Sequence, residues 1–312
     1  MHDLDQGRFV GIGDTELWVV ERGDPDGYPL LLLHGGPGDD HHEFADYLDP
    51  LGDRFRLVLV DQRGNGRSMD AEENTWTLPQ HAADVVLLAR SMGFERYAVL
   101  GHSYGAFVSL QNAVDFPGQA SQSIVSCGLP SVRWMEDIAA KLAVFEPEDL
   151  RAQVQGSWEA EASVRTQEDF ARIMHDQMPW HFGDPRDPRI AEYLERSGAA
   201  VYSPRILQRF AQAGYGGIEL EDRLGEIDHP VLVLAGRLDR TCPPEAAELT
   251  AAGIPGAELR VFEHSGHMTF VEEQDAYLET VRDFLDRHTA EEESGESAST
   301  DVAPGSAGPP AV

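Results

Sequence analysis

"GHSYG", Gly101–Gly105, follows the apolar run "YAVL" (Tyr97–Leu100) and leads into "AFVSLQNAV" (Ala106–Val114). Tyr97 to Leu100 reads as a short buried strand, while Ala106, Phe107, Leu110, Ala113 and Val114 recur at helical spacing. A serine set between two glycines where a strand gives way to a helix has the pattern of a nucleophile elbow. Its backbone is strained, its hydroxyl projects at the helix N-terminus, and the glycines on either side carry no Cβ to clash. An ordinary Gly-Ser turn has the same five letters, so the rest of the chain must supply a base, an acid and an oxyanion site.

Outward from this stretch, "RFVGIG" (Arg8–Gly13) and "ELWVVE" (Glu16–Glu21) alternate across a turn at Gly13 and Asp14, as an antiparallel hairpin does. Further strands are predicted at "PLLLLH" (Pro29–His34), "FRLVLVD" (Phe55–Asp61), "QSIVSC" (Gln122–Cys127), "VLVLAG" (Val231–Gly236) and "ELRVFE" (Glu258–Glu263). Most are continuously apolar, which marks strands covered on both faces, and helical patterns separate most of them. The predicted core is an α/β fold, a mostly parallel sheet of about eight strands with helices on both faces. It occupies residues 1–128 and 229–288.

Between 129 and 228 only helix-like segments appear, among them "DLRAQVQGSWEAEA" and "QEDFARIMHDQM", so an inserted helical cap is expected there. From 289 to 312 the composition turns acidic and then rich in Gly, Pro, Ser and Ala, and a disordered tail is expected. The net charge of −31 argues against nucleic acid and anionic membranes as partners. No apolar run approaches the roughly 18 residues of a membrane span. The start, "MHDLDQGRFVGIGD", lacks the basic and apolar stretches of a secretory signal, so a cytoplasmic protein is expected. Cys127 and Cys242 fit neither a disulfide framework nor a metal-binding CxxC, and read as free thiols.

A serine hydroxyl needs a base, and the base needs an acid to hold its tautomer. "VLVLAGRLDRTCPP" sets Asp239 just beyond a buried strand, and "ELRVFEHSGHMTF" sets His267 just beyond the last one. Their rivals are weaker: Asp222 and Asp228 precede the strand, and His264 lacks the adjoining Gly266 that frees a tight turn. His102 is expected to point away from the serine as packing. For the oxyanion, "HGGPG" (His34–Gly38) offers the Gly36 N–H, and the residue after the serine offers that of Tyr104. "HHE" (His41–Glu43) is expected to be solvated helix surface rather than a metal site. No metal or cofactor is expected.

Taken together, "HGGPG", "DQRGNGRS" (Asp61–Ser68), "GHSYG", "GRLDRTCPP" and "HSGHM" resemble the α/β-hydrolase superfamily, and the first two are most similar to its proline iminopeptidase branch. The resemblance implies a cofactor-free serine hydrolase with Ser103, His267 and Asp239 as its triad. It also implies an aminopeptidase whose cap acids hold a free α-amino group. Trp158 and Glu159 in "GSWEAEA" are similar to a Trp-Glu pair in some caps of that branch and are the expected substrate-binding pair. "GHSYG" and the compact cap resemble carboxylesterases and lactonases instead, so a small ester or lactone is the alternative substrate. A catalytically silent binding protein on this fold is expected to lack a triad member, and none is lacking here.

Overall fold

A computed structural model describes the backbone of residues 6–299 and the side chains of 6–290. Eight strands form one sheet: β1 (Gly7–Gly11), β2 (Glu16–Gly23), β3 (Tyr28–Leu33), β4 (Phe55–Val60), β5 (Ala98–His102), β6 (Gln122–Ser126), β7 (Val231–Gly236) and β8 (Glu258–Phe262). Their spatial order is β1-β2-β4-β3-β5-β6-β7-β8. The β1–β2 and β2–β4 pairs are antiparallel and the other five are parallel. The predicted hairpin is present, with Gly11 opposite Glu16.

Successive residues of a strand face opposite sides, and here both sides are apolar. Leu31, Leu33, Val58, Val60 and Val99 pack toward α1 (Leu78–Ser91) and α2 (Tyr104–Asp115). Leu30, Leu32, Leu57, Leu59 and Leu100 pack on the other side. Burying each such leucine contributes about 1.5–3 kcal/mol. Two-sided burial therefore explains why these strands read as unbroken apolar runs.

From β6 to β7 the described chain is helical: α3 (Ile138–Ala143), α4 (Glu148–Ala160), α5 (Gln167–His181), α6 (Arg189–Arg196) and α7 (Pro204–Gln212), with short 3-10 turns. The two ends of this insertion meet: Val132 N–H donates to Ile218 O at 3.0 Å and Leu220 N–H to Pro130 O at 2.8 Å. Inside it, Ile138, Leu142, Phe145, Val154 and Trp180 form one apolar cluster, and Val164, Phe170, Ile173 and Leu207 another.

After β7 come α8 (Pro244–Gly253), α9 (Thr269–Glu272) and α10 (Gln274–Ser299). Tyr277, Val281, Phe284 and Leu285 of α10 cover the second face of the sheet. The helix continues through 289–299, a stretch expected to be disordered. Its Ala- and Glu-rich sequence propagates a helix that buried turns have already nucleated. Residues 300–312 of the expected tail lie outside the described residues. Both cysteines are buried and free, as expected. Among the described residues no helix is long and apolar enough to cross a membrane.

β3 lies between β4 and β5, so the chain leaves it in one direction along the sheet and later returns on the other side. A crevice opens outside the carboxyl ends of the strands at such a reversal. The "HGGPG" turn after β3 and the elbow after β5 both border it.

Candidate active site

Ser103 sits between β5 and α2 with φ 52° and ψ −117°. A non-glycine residue held there stores on the order of 1–3 kcal/mol. Ser103 N–H donates to Ser126 O at 2.9 Å, and its own carbonyl accepts from Ala106 N–H at 2.9 Å, so β6 and α2 hold the strained residue in place. A Cβ on Gly101 would strike the Gly105 carbonyl, and one on Gly105 would strike the Leu33 carbonyl. The flanking glycines are required for the reason the sequence suggests.

His267 follows β8 and Asp239 follows β7. His267 Nδ1–H donates to Asp239 Oδ2 at 2.7 Å, and Asp239 Oδ1 accepts the Thr241 and Cys242 amides at 2.8 and 2.9 Å. The rivals stay outside, since His264, Asp222 and Asp228 are all exposed. Burial disfavours the imidazolium of His267, but the charge and hydrogen bond of Asp239, with Glu43 and Glu272 adding, outweigh it and raise the pKa above the usual 6.5. Ser103 Oγ makes no hydrogen bond among the described residues; it and His267 line the same cavity. Such a bond often closes only around substrate.

His102 is buried packing outside the residues that line the cavity of Ser103. Its ring lies 4.9 Å from that of His267 and 5.0 Å from Phe270, while His181 lies 5.2 Å from His267 on another side. As the last residue of β5, His102 falls on the same face as Leu100, the face that Phe270 covers. Burial, and then the His267 charge, push both neighbours well below the usual histidine range. They flank His267 as neutral rings.

Gly36, with φ 27°, also lines the cavity. Its N–H belongs to the peptide whose carbonyl is Gly35 O, and that oxygen accepts from His34 Nδ1 at 2.9 Å. His34 Nε2 accepts the Gln62 amide at 3.3 Å, which fixes the tautomer, and Gln62 Nε2 donates to His34 O at 2.7 Å. Asn65 Oδ1 accepts Gly38 N–H at 2.6 Å. "DQRGNGRS" thus braces the glycine turn, while Arg63 forms a fork with buried Asp84, Nε and Nη2 donating at 2.7 and 2.8 Å.

The cavity is mostly apolar, with Phe107, Phe170, Ile173 and Leu207 on its walls. Trp158 lines it. Glu159 does not: it is exposed and accepts from Gln155 Nε2 at 3.1 Å. On α4 one residue turns about 100°, so Val154, Ser157, Trp158 and the following Glu161 share the inner face and Glu159 leaves it. Glu161 is the cap acid in the cavity, 5% exposed and held by Gln177 Nε2 at 2.5 Å and by Tyr215 OH. Burial pushes its pKa up to about 7 despite both hydrogen bonds.

"HHE" is also not solvated surface. His41, His42 and Glu43 are buried in a short 3-10 turn. Asp40, His41 and His42 bring ligand-type atoms within 4.8 Å of one another, contrary to the expectation for adjacent residues. Those atoms are engaged: His41 Nδ1–H donates to Asp61 Oδ1 at 2.6 Å and His42 Nδ1–H to Asp40 Oδ1 at 2.9 Å. Glu43 lines the cavity, and burial pushes its pKa up to about 7. Glu272 is a further residue the sequence did not single out. Its carboxyl accepts Gly183 N–H at 2.7 Å and Gly266 N–H at 2.8 Å, joining the insertion to the His267 loop.

With this geometry in view, the likeness to known proteins is specific at the level of family. The chain is 28% identical over 274 residues to a proline iminopeptidase of Lactobacillus crispatus, covering 83% of this chain and 90% of that one. The proline iminopeptidase of Mycobacterium smegmatis superposes with a TM-score of 0.70 at 26% identity, covering 90% and 98%. An esterase from Exiguobacterium antarcticum shares the fold equally, with a TM-score of 0.70 at 24% identity, covering 90% and 99%. Residues 28–274 match the alpha/beta hydrolase fold, and the chain belongs to that family.

Proposed function

We propose that the protein is a serine hydrolase that cleaves small acyl compounds through an acyl-enzyme, and that it acts as an aminopeptidase releasing an N-terminal residue from short peptides. Ser103 Oγ attacks the scissile carbonyl as His267 Nε2 takes its proton, and Asp239 stabilises the imidazolium that forms. The Gly36 and Tyr104 amides donate to the oxyanion. His267 returns the proton to the leaving amine, whose bond to the carbonyl carbon breaks, and a water activated by His267 then hydrolyses the ester on Ser103. Proton transfer requires neutral His267, so kcat/KM is expected to rise with pH with a midpoint above 6.5, following the raised pKa. A limb centred well below that value in a pH–rate profile would count against His267 as the base.

The observation that carries the aminopeptidase reading is Glu161, a buried carboxyl in an apolar cavity that, among the described residues, no lysine or arginine lines. Such a group attracts a substrate ammonium strongly, because little water screens the pair. Relatives named proline iminopeptidases support the same reading. Trp158, also on the cavity wall, offers an aromatic face beside that acid. The test is Glu161→Gln assayed on an unblocked proline arylamide and on a neutral ester of similar size. Expected is a fall in kcat/KM of about 10- to 100-fold on the arylamide, the worth of a hydrogen bond to a charged group, with the ester changed less than about threefold. Equal losses on both substrates would remove the amine-binding role.

A second reading, a carboxylesterase or lactonase, is favoured by the same residue seen from the other side. With a pKa near 7 and two hydrogen bonds of its own, Glu161 is substantially neutral at that pH, and a neutral acid beside an apolar wall suits an uncharged ester. Efficient turnover of a lactone without turnover of any unblocked arylamide would select it.

A further inference from the structure

Glu43 is assigned no part in the acyl-transfer scheme, yet it touches both halves of the site. Its Oε2 accepts Gly35 N–H at 2.5 Å. Gly35 is pressed between this carboxyl and the elbow: a Cβ there would lie 2.6 Å from Glu43 Oε1 and 2.8 Å from Ser103 Cβ. Oε1 stands 4.0 Å from His102 Nε2, a buried nitrogen without a hydrogen-bond partner among the described residues, whose ring lies against His267. The Gly35–Gly36 peptide bearing the proposed oxyanion donor is thus tied at its carbonyl by His34 and, one peptide earlier, by Glu43.

We propose that Glu43 is a positioning residue, clamping the Gly35–Gly36 turn against Ser103 so that the Gly36 N–H meets the developing oxyanion. This rests on the serine-hydrolase reading above. A donor aimed by a fixed carboxyl costs no reorganisation as charge develops, and a turn free to tilt does. An ionised carboxylate accepts the Gly35 N–H more strongly than the protonated acid, so the clamp tightens as Glu43 loses its proton. Burial places that loss at about 7, opposed by the Gly35 hydrogen bond and the His267 charge. The groups facing Glu43 are Asp39 and Asp40 of its own loop, His102 at the end of β5, His267 with nearby Glu272, Tyr193 of α6 and Tyr277 of α10. Every one of these remains when Glu43 alone is changed.

The experiment compares the wild type with Glu43→Gln and Glu43→Ala on a neutral ester, which leaves the amine-binding question aside, and includes Ser103→Ala. Glutamine keeps an acceptor for Gly35 and loses the ionisation; alanine loses both. Expected for Glu43→Ala is a fall in kcat of about 10- to 100-fold, the scale of a misplaced catalytic group, with KM altered less than about threefold. Glu43→Gln should recover most of that loss at pH 9. Its acid limb of kcat/KM should rise less steeply than that of the wild type, because its clamp no longer tightens as the pH rises. Wild-type kcat in Glu43→Ala, equal losses in both variants, or an unchanged slope in Glu43→Gln would each overturn the clamp while an inactive Ser103→Ala left the serine-hydrolase reading standing. An active Ser103→Ala would overturn that reading itself.

Discussion

Ser103→Ala is expected to lose at least about a thousandfold in kcat on every substrate the wild type cleaves, the scale seen when a triad nucleophile is deleted. The elbow holds Ser103 at positive φ through backbone hydrogen bonds to β6 and α2 that a side-chain change leaves alone. Alanine keeps the Cβ and removes only the hydroxyl, which makes no hydrogen bond in the resting site, so the variant should fold with little change in stability. The loss is therefore chemical. A fluorophosphonate should phosphonylate the wild type at Ser103 and leave the variant unlabelled, with peptide mapping as the check. Labelling at another residue, or an active alanine variant, would end the serine-hydrolase reading.

What the sequence made legible follows from how local each constraint is. The elbow was readable because strand, turn, helix and both glycine requirements fall within eighteen consecutive residues, Tyr97–Val114. Asp239 and His267 were readable because loops that follow buried strands of a parallel sheet open on one edge, which turns chain order into position. That Gly36 borders the cavity was readable from its place after β3. The cap was legible as helices but not in helical phase. Shifting the reading of "WEAEA" by two residues, about half a turn, exchanges Glu161 for Glu159, and the phase is set by what α4 packs against: Val154 buried with Trp180, and Glu161 held by Gln177 and Tyr215.

Glu43 and His41 were illegible for a different reason. Three polar residues in a row look like solvated surface, and what buries them is distant in the chain. His41 pairs with Asp61, twenty residues on, and Glu43 reaches back to Gly35. No periodicity records a contact of that kind. Polar side chains are buried when their hydrogen bonds are met, and those partners exist only after β3 and β4 have paired.

Asp239→Asn is the other change with a very large expected effect, on the order of ten-thousandfold in kcat, and the reason lies in the amides around the carboxyl rather than in lost charge alone. Asp239 Oδ1 accepts from both Thr241 N–H and Cys242 N–H, while Oδ2 accepts from His267 Nδ1–H. Asparagine has one oxygen and one NH₂. The two amide donors claim the oxygen, because turning the NH₂ toward them would leave three buried donors facing one another. The NH₂ is then directed at His267 and donates to Nδ1. The imidazole must answer as an acceptor there, which moves its proton to Nε2, the atom that has to receive the Ser103 proton. The geometry survives and the tautomer is wrong. Loss of the carboxylate also removes the charge and hydrogen bond that hold the His267 pKa above the usual 6.5, so the remaining activity should titrate at a lower pH than in the wild type. Hydroxide can substitute for the missing base, so the residual rate should climb again above about pH 9. Steady-state kinetics across pH test both expectations, with labelling by a fluorophosphonate slowed in parallel. A variant with wild-type kcat and an unmoved acid limb would show that Asp239 does not set the state of His267.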